Sequence, residues 1–343
     1  MHIIHVNLAG GFRGGERQTE LLIQALAKQG IQQTLVCRKG SPMPQHLAEC
    51  PQLSIRYAAH IFSGLLHRHT GDLVHAHDGR GAHWAYWASR RNGLPYIITR
   101  RVTNPLKNNH FTRTVYLSAD RVVCLSKAIA ASVNSYLPQC VTSIIPSMCA
   151  SLPQDPKRIE EIRARWPKRF LVGHVGALVD RHKGQRLIIE AARALLKTYP
   201  NIQFILVGEG EDRKILEREA ACLPNLSLVG FQSDIGNWLG ALDLFVFPSR
   251  VEGLGSSIID AMEFGLPIVA SDAGGIPDLI RHESNGLLFK KNDVSDFLEK
   301  INIIYCDFNK KNTYRLQAKK ESDKYHPLEI SQQYVRYYNT ILP

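Results

Sequence analysis

Short apolar runs alternate with amphipathic helical patterns along most of the chain. Between the runs at 2–8 and 33–37, Leu22, Ala25 and Leu26 recur at helical spacing, and the pattern stops at Gly30. This alternation is typical of βαβ units, in which a helix crosses over between two parallel strands. The first half therefore predicts one doubly wound parallel sheet, with strand candidates at 2–8, 33–37, 73–77, 96–99, 121–125 and 142–146.

The alternation stops and then starts again. Residues 151–169 carry proline and charge with little apolar periodicity, which indicates a linker. Because 343 residues exceed what one core usually supports, we expect a second α/β domain after it. Its strand candidates are 170–176, 202–208, 226–230, 242–248 and 266–271.

The composition is that of an ordered globular protein, with 44% hydrophobic and 21% charged residues. No basic segment followed by an apolar stretch begins the chain, and no apolar run approaches the length of a membrane span. The seven cysteines are scattered and form no C-x-x-C pair, which favours reduced thiols and argues against a zinc site. We therefore expect a cytoplasmic protein.

The net charge of +11 favours an anionic partner. The basic residues are spread along the chain, and the sequence has no zinc-finger spacing, RNA-binding aromatic signature or basic helix with heptads. We expect no nucleic acid partner. An acidic membrane surface, a phosphorylated small molecule and a merely soluble basic surface all remain open at this point.

Open parallel sheets bind ligands at the carboxyl ends of their strands, so the loops after the strands are the candidate sites. Gly14 and Gly15 lie between the first strand and the first helix, where bare backbone can approach an anion. The spacing is not that of a dinucleotide-binding loop, and a flexible glycine turn is the alternative. In the second domain, Lys183 and Gly184 form a similar turn, which could equally be a solvated basic loop.

The segment 250–265 places two acids on either side of a glycine-rich bend. Gly255 leads into a helix whose first turn is expected to hold Ser256 and Ser257, and free N–H groups there attract an anion. Glu252 precedes this helix and Asp260 lies about one turn inside it. Acids repel phosphate, so we expect both carboxylates to accept hydrogen bonds from the hydroxyls of a ribose or hexose. A loop acid and a helix-dipole charge are the alternatives.

With these residues assembled, the chain resembles the retaining glycosyltransferases of family 4, which have the GT-B fold. The stretches that carry the resemblance are GGFRGGERQ, GALVDRHKG, LVGEGE, LVGFQSDI and LFVFPSRVEGLGSSIIDAMEFGLPIVASDAGGIPDLI. The resemblance implies two Rossmann-like parallel-sheet domains that face a central cleft. The first would span 1–160 and bind the acceptor, with a C-terminal helix at 326–343 crossing back to it; the second would span 161–325 and bind a nucleotide sugar.

The resemblance also implies roles for single residues. Glu252 would contact hydroxyls of the donor sugar, Lys183 would bind phosphate, and Asp260, where the family usually has Glu, would bind the ribose. Arg181 would replace the charge of the family's arginine, whose position here is Ala177. The implied catalytic residues are Glu252, Lys183 and Arg181, and the implied donor site consists of Gly14, Gly15, Gly176, Lys183, Gly208, Phe231, Gln232, Glu252, Gly255, Ser256, Ser257 and Asp260.

Several relatives carry a histidine or aspartate after the strand at 96–99, but this chain has RRVTN there. A displacement in which the leaving diphosphate deprotonates the acceptor needs no protein base. Fixed cations and helix N–H groups take the place of magnesium, so the resemblance implies no metal and no cofactor. The candidate acceptor residues are His77, Asp78, Arg100 and Arg101, with a structural histidine as the alternative.

The function implied is transfer of a hexose-type sugar from a nucleotide sugar, with a UDP-sugar favoured, to a glycan or lipid-linked acceptor. The basic charge suits lipopolysaccharide core or other envelope glycan synthesis, with peripheral contact to the cytoplasmic face of an anionic inner membrane. A nucleotide-sugar epimerase on the same fold and a non-catalytic nucleotide-sugar-binding protein are the alternatives.

Overall fold

The computed structural model describes residues 1–59 and 70–342. The chain divides into two compact units. The first unit comprises Met1–Met148 and Tyr325–Pro343, and the second comprises Cys149–Lys324.

The first unit contains a seven-stranded sheet of order β3-β2-β1-β4-β5-β6-β7, and every adjacent pair is parallel. Its strands are β1 His2–Asn7, β2 Gln32–Cys37, β3 Leu53–Tyr57, β4 Leu73–Ala76, β5 Tyr96–Arg100, β6 Arg121–Cys124 and β7 Thr142–Ile144. Its helices are α1 Gly14–Ala27, α2 Met43–His46, α3 Gly79–Asn92, α4 His110–Leu117, α5 Lys127–Tyr136 and, at the C-terminal end, α14 Pro327–Asn339. All four residues of the central strand β4 are buried, as expected for a parallel sheet covered on both faces.

The second unit contains a six-stranded sheet of order β10-β9-β8-β11-β12-β13, again parallel throughout. Its strands are β8 Phe170–Val175, β9 Ile202–Val207, β10 Leu226–Gly230, β11 Leu244–Phe247, β12 Ile268–Ser271 and β13 Leu287–Phe289. Its helices are α6 Pro156–Ala164, α7 Asp180–Lys183, α8 Gln185–Leu195, α9 Arg213–Ala220, α10 Ile235–Ala241, α11 Ser256–Glu263, α12 Val294–Cys306 and α13 Phe308–Ser322. Short 3-10 turns lie at Ile276–Asp278 and Asp323–Tyr325.

The predicted parallel-sheet architecture is confirmed in both units, and each predicted strand is present. Sequence reasoning missed β3 and β13, which are the outermost strands at one edge of each sheet. Strand β3 is largely exposed and β13 has only three residues. Neither strand therefore carries the continuous apolar run that marks a buried parallel strand.

The first unit ends at Met148 and not at the predicted residue 160. The expected linker contains helix α6, which begins after Asp155 with Pro156 at its first position. The Asp155 N–H donates to Asn237 Oδ1 at 2.7 Å, and Arg158 pairs with Asp234 at 3.1 Å. The charged residues that resembled a linker therefore attach α6 to α10 of the second unit.

Helix α14 belongs to the first unit and is held there by side-chain hydrogen bonds. Gln29 of α1 donates to Ser331 Oγ at 2.7 Å. The Tyr338 hydroxyl is fully buried and lies 2.8 Å from His75 Nδ1 in β4, while the half-buried Tyr337 donates to Ser143 Oγ in β7 at 2.8 Å. The last helix of the chain thus contacts strands from the middle and the edge of the first sheet.

Tyr338→Phe is expected to lower the free energy of unfolding of the first unit by about 1–3 kcal/mol, because His75 would lose the partner of a buried nitrogen. Tyr337→Phe removes a hydroxyl at the same distance from its partner in a half-buried position, where water can replace it, and should cost less than about 1 kcal/mol. Urea titrations of the two variants test this order. Equal costs would contradict it.

Candidate functional site

Lys183 lies at the end of the short helix α7, in the turn that follows strand β8. The next residue, Gly184, has φ +68°, and a Cβ there would lie 2.2 Å from the Pro248 carbonyl oxygen. Only glycine permits this approach. The α7 turn therefore lies directly against the chain that leaves β11, and the Lys183 Nζ reaches Glu252 Oε2 at 2.5 Å.

Glu252 is held on both its backbone and its side chain. Its carbonyl accepts from the Gly275 N–H at 3.1 Å, and its carboxylate accepts from Ser249 Oγ at 3.3 Å as well as from Lys183. Gly274 lies so close that a Cβ would come within 2.0 Å of the Glu252 carbonyl oxygen. The carboxylate is therefore fixed in one place beside a cation.

Helix α11 begins next to this pair. Gly255, its N-cap, has φ +98° and provides no side chain to cap the helix. The N–H groups of Ser256 and Ser257 occupy the first turn, where the helix leaves donors without an intrahelical partner. An ammonium group, a carboxylate and a helix N-terminus thus lie close together in the second unit.

Asp260 lies one turn further into α11. One of its carboxylate oxygens, Oδ1, accepts from the Ala150 N–H at 2.9 Å. This contact was not foreseen from the sequence. It occupies one oxygen of the residue that was predicted to bind a ribose.

Two predicted glycines provide bare backbone at the ends of β8 and β9. Gly208 has φ +144°, and a Cβ there would lie 2.0 Å from the Gly176 carbonyl oxygen. The Gly176 N–H donates to the Val207 carbonyl at 3.0 Å, and the Gly208 N–H donates to the Gly230 carbonyl at 2.9 Å. The strand ends therefore approach one another with no side chain between them.

Three predicted site residues have surroundings that differ from the expectation. Arg181 is 70% exposed and pairs with Glu211 at 3.1 Å, so it does not add its charge to the pair formed by Lys183 and Glu252. Gln232 donates to the Val229 carbonyl and accepts from the Trp238 indole, which uses its side chain structurally. Phe231 projects from the end of β10 with 72% of its surface exposed.

Sequence reasoning missed the contact that braces the Lys183 turn. Arg250 donates through Nη1 to Asp180 Oδ2 at 2.8 Å and through its backbone N–H to the His182 carbonyl at 2.7 Å. Asp180 is almost completely buried and also accepts from the Arg186 N–H at 2.8 Å. The only hint of this brace in the sequence was the place of Arg250, two residues before Glu252, where a charged side chain could face the same turn.

In the first unit, Gly14 and Gly15 form the first turn of α1, whereas the sequence placed them in the loop before this helix. A Cβ on Gly15 would lie 3.4 Å from Arg101 Cδ, so the arginine packs against this bare turn. The Arg101 Nε is buried and has no hydrogen-bond partner among the described residues. Burial lowers the pKa of Arg101, which still carries a full charge at neutral pH.

Arg101 begins a directed chain of hydrogen bonds. Gln33 Nε2 donates to the Ile23 carbonyl, which leaves Gln33 Oε1 to accept from His5 Nε2 at 3.0 Å. His5 Nδ1 then accepts from His77 Nε2 at 2.9 Å, and His77 Nδ1 accepts from Arg101 Nη2 at 3.3 Å. Both nitrogens of His77 are therefore engaged within the protein, and its proton lies on Nε2.

The other two predicted acceptor residues also have structural contacts. Asp78 caps α3 by accepting from the Arg80 and Gly81 N–H groups, and it accepts from the Leu8 N–H at 2.8 Å. Arg100 donates to the Tyr116 hydroxyl at 3.2 Å. Of the four candidates, Arg100 and Arg101 each keep a buried Nε without a hydrogen-bond partner in the described part of the chain.

His5, His75 and His77 form the only group of three possible metal ligands among residues 1–59 and 70–342, with one nitrogen of each within 4.8 Å of the others. The hydrogen bonds oppose ligation, because His77 Nε2, which faces His5, carries a proton. Both nitrogens of His75 are hydrogen-bonded, Nδ1 to the Tyr338 hydroxyl at 2.8 Å and Nε2 to the Thr99 hydroxyl at 2.7 Å. The residues present fit a neutral hydrogen-bonded cluster better than a metal site.

Two family models match the chain, one in each unit. Residues 12–147 match Glycosyltransferase Family 4, and residues 169–307 match the glycosyl transferases of group 1. Together the two matches cover most of the sequence. The chain belongs to the family 4 glycosyltransferases.

Individual relatives of this glycosyltransferase agree with the assignment. The UDP-Gal:alpha-D-GlcNAc-diphosphoundecaprenol alpha-1,3-galactosyltransferase of Escherichia coli is 26% identical over 86% of each chain. The lipopolysaccharide core biosynthesis glycosyltransferase LpsE of Rhizobium meliloti is 26% identical over 90% of this chain and 89% of its own. The sulfoquinovosyl transferase SQD2 of Arabidopsis thaliana is 31% identical, but the match spans 49% of this chain and about a third (34%) of that protein.

The fold of this glycosyltransferase is also that of a solved structure. Anabaena HepE in complex with UDP and glucose has a TM-score of 0.84 to the chain at 21% identity, over 99% of this chain and 100% of that one. The similarity confirms the predicted GT-B fold.

Arg250→Gln is expected to lower kcat/KM of the glycosyltransferase about tenfold or more, because the turn that carries Lys183 loses its brace to Asp180. Arg218→Gln is the matched control in the same unit, since Arg218 is exposed, donates to the Lys214 carbonyl at 3.4 Å, and should change kcat/KM less than about twofold when replaced. An Arg250 variant that folds and keeps full activity would contradict a positioning role. Steady-state kinetics with circular dichroism as a folding check decide the outcome.

The stability of the first unit is expected to fall as the pH drops below about 6.5. Burial lowers the pKa of His5 to about 3 and the pKa values of His75 and His77 well below the ordinary value. As the pH falls below about 6.5, the unfolded chain therefore binds protons at these histidines before the folded unit does. Each histidine removes up to about 1.4 kcal/mol per pH unit until its folded pKa is reached. Urea titrations across this range measure the slope.

His5→Gln should make that slope shallower, because it removes one of the three titrating groups. His110→Gln, a change at an exposed position of α4, is the control and should leave the slope unchanged. Stability that does not depend on pH between about 4 and 6.5 would contradict the neutral cluster.

Proposed function

We propose that the protein is a retaining glycosyltransferase that moves a hexose-type sugar from a UDP-sugar to a glycan or lipid-linked acceptor in envelope glycan synthesis. The observation that carries the proposal is the contact of Lys183 with Glu252 at 2.5 Å beside the N-terminus of α11. This site combines two groups that bind an anion, the Lys183 ammonium and the helix N–H donors, with a carboxylate that binds hydroxyls. A nucleotide sugar presents both chemistries side by side.

Without a ligand, the ammonium of Lys183 and the carboxylate of Glu252 satisfy each other. When a nucleotide sugar binds, its diphosphate offers Lys183 a second anion, and the N–H groups of Ser256 and Ser257 supply further donors. Glu252 then accepts hydrogen bonds from hydroxyls of the sugar. Exchange of one partner for another avoids leaving either buried charge unpaired.

We propose that this site works without a metal. The diphosphate gains negative charge as the sugar leaves, and a fixed cation together with the α11 N-terminus can stabilise that charge where it develops. The surroundings of Arg181 do not support the leaving-group role that the sequence suggested for it. Lys183 therefore carries most of the proposed electrostatic stabilisation.

Retention follows from a displacement on one face of the sugar. The bond between the sugar carbon and the diphosphate oxygen breaks, and the acceptor oxygen bonds to the same face of that carbon. The acceptor's proton passes to an oxygen of the leaving diphosphate. This route needs no protein base, and Asp78, Arg100 and His77 are already engaged in structural contacts.

For the acceptor, we propose contact with Arg101, because its buried Nε lacks a partner among the described residues and its side chain packs against the bare backbone of Gly15. In the same described part of the chain the Nε of Arg100 also lacks a partner, but Arg100 donates to the Tyr116 hydroxyl and has no such contact with the glycine turn. The proposed setting is the cytoplasmic face of the inner membrane. Two relatives, one named for a diphosphoundecaprenol-linked sugar and one for lipopolysaccharide core biosynthesis, support an envelope acceptor.

Thermal stabilisation by UDP-, GDP- and ADP-sugars tests the donor site. We expect a UDP-sugar to stabilise the wild type and to fail with Asp260→Ala. Lys183→Ala should lower kcat/KM about 100-fold or more, as loss of a transition-state donor does. Lys300→Ala, which removes a lysine paired with Asp296 elsewhere in the second unit, is the control and should leave both readouts unchanged.

No stabilisation by any nucleotide sugar would contradict the proposed donor site. Stabilisation without transfer to any acceptor, with unchanged turnover in the Lys183 variant, would favour the epimerase or the non-catalytic binding protein. The anomeric configuration of the product, read by NMR, tests retention directly.

A further inference from the structure

One segment of the first unit has an unusual charge distribution. No acidic residue occurs between Asp78 and Asp120, a stretch of 41 residues (79–119). With 31 acidic residues in 343, about four would be expected there (31 × 41/343). The same stretch carries seven cations: Arg80, Arg90, Arg91, Arg100, Arg101, Lys107 and Arg113. This segment contains helices α3 and α4.

Helix α3 brings several of these residues to one face. Arg80, His83, Trp87 and Arg90 follow one another at intervals of three, four and three residues, which is the spacing of a single helical face. Arg80, Trp87 and Arg90 are exposed and His83 is half-buried, whereas residues 84–86 between them are buried. The face therefore presents basic and aromatic side chains on the surface.

Helix α4 adds an aromatic side chain to the same face. Phe111 and Trp87 are each 37% exposed, their ring centroids lie 5.9 Å apart, and the rings stack with an interplanar angle of 29°. His83 packs on Phe111 at 5.0 Å. We call the surface formed by Arg80, His83, Trp87, Arg90, Lys107 and Phe111 the α3–α4 face.

Three cations of this face have no acidic partner in the described part of the chain. Arg80, Arg90 and Lys107 form no ion pair within residues 1–59 and 70–342. Arg90 lies over the ring of Tyr86 at 5.7 Å. Burial and, after it, the charge of Lys107 lower the pKa of His83, and Asp78 opposes this shift. Positive charge thus surrounds a pair of partly exposed rings.

We propose that the α3–α4 face docks on an anionic lipid bilayer. Tryptophan and phenylalanine enter the interfacial region of a bilayer, and nearby arginine and lysine side chains bind acidic headgroups. None of the described helices is long and apolar enough to span a membrane. The proposed contact is between the α3–α4 face and the surface of the bilayer. The inference rests on the proposed function, because a lipid-linked acceptor lies in such a membrane.

Helix α13 is the rival surface, because it exposes Phe308 and Leu316 beside Lys310 and Lys311. Helix α13 is also basic, since its one acid, Glu321, is buried and pairs with Arg281. Its cations are partly used within the protein, however, because Lys311 lies over the Phe308 ring at 5.3 Å and Lys319 donates to the Glu263 carbonyl. The stacked pair of Trp87 and Phe111 therefore favours the α3–α4 face, because these aromatic rings suit the interfacial region of a bilayer.

Co-sedimentation of the full chain with vesicles tests the inference. Binding should rise as phosphatidylglycerol replaces phosphatidylcholine, and it should fall as the salt concentration increases. Arg90→Gln with Lys107→Gln should weaken binding about 25-fold, at about fivefold for each cation. Trp87→Ala with Phe111→Ala should weaken binding to the anionic vesicles at every salt concentration, because this contribution is not electrostatic.

Phe308→Ala with Lys311→Gln is the matched control on α13 and should bind vesicles like the wild type. Circular dichroism checks that each variant folds, and Trp87→Phe, which keeps an aromatic ring, should restore most of the binding lost with Trp87→Ala. Equal binding to neutral and anionic vesicles, or an equal loss with the α13 variant, would overturn the inference.

Two measurements distinguish a failure of this inference from a failure of the proposed function. Thermal stabilisation by a UDP-sugar depends on the second unit and should persist in all α3–α4 variants. Stabilisation by the nucleotide sugar without any vesicle binding would overturn the docking surface alone. Vesicle binding without nucleotide-sugar stabilisation would contradict the donor site and leave the docking surface standing.

Discussion

All strands of a parallel sheet end at the same edge, and both units of this glycosyltransferase depend on that constraint. The crossover helices cover the faces of each sheet, so the side chains within the strands are used for packing. Only the loops at the carboxyl edge remain free to vary their chemistry. In the second unit those loops bring Lys183, Glu252 and the start of α11 together, although about 70 residues separate the two charges along the chain.

The architecture could be predicted because buried parallel strands leave a direct mark on the sequence, namely short runs of apolar residues. Strands at sheet edges have shorter or interrupted apolar runs, and this is why β3 and β13 were missed. The apolar pattern also fails to recognise α6, which resembled a linker because its segment is charged. Within the second unit, the charged Arg158 pairs with Asp234, and the Asp155 backbone N–H donates to Asn237 of α10. A pattern of hydropathy cannot distinguish a charge that faces water from one that has a partner.

The candidate site could be predicted in part. Glycines that lead into a helix and acids on either side of it pointed to the segment around α11, and the structure brings Lys183 to Glu252. Arg181 and Gln232 differ, because each has a partner, Glu211 or Trp238, whose position depends on tertiary structure. The brace between Asp180 and Arg250 was missed for the same reason, since no sequence rule relates residues on two separate loops.

The hydrogen-bond chain that ends at Arg101 has a consequence for how a buried charge can be kept. Its donors all point the same way, from the guanidinium through His77 and His5 towards Gln33. The lone pair that each group presents therefore faces the cation, and the aligned dipoles solvate it much as water would. A carboxylate in the place of His77 would have cancelled the charge of Arg101. The Glu16 carboxylate is near enough to favour the charged form of Arg101, but on the side of His77 the guanidinium meets neutral dipoles, which stabilise the cation without neutralising it.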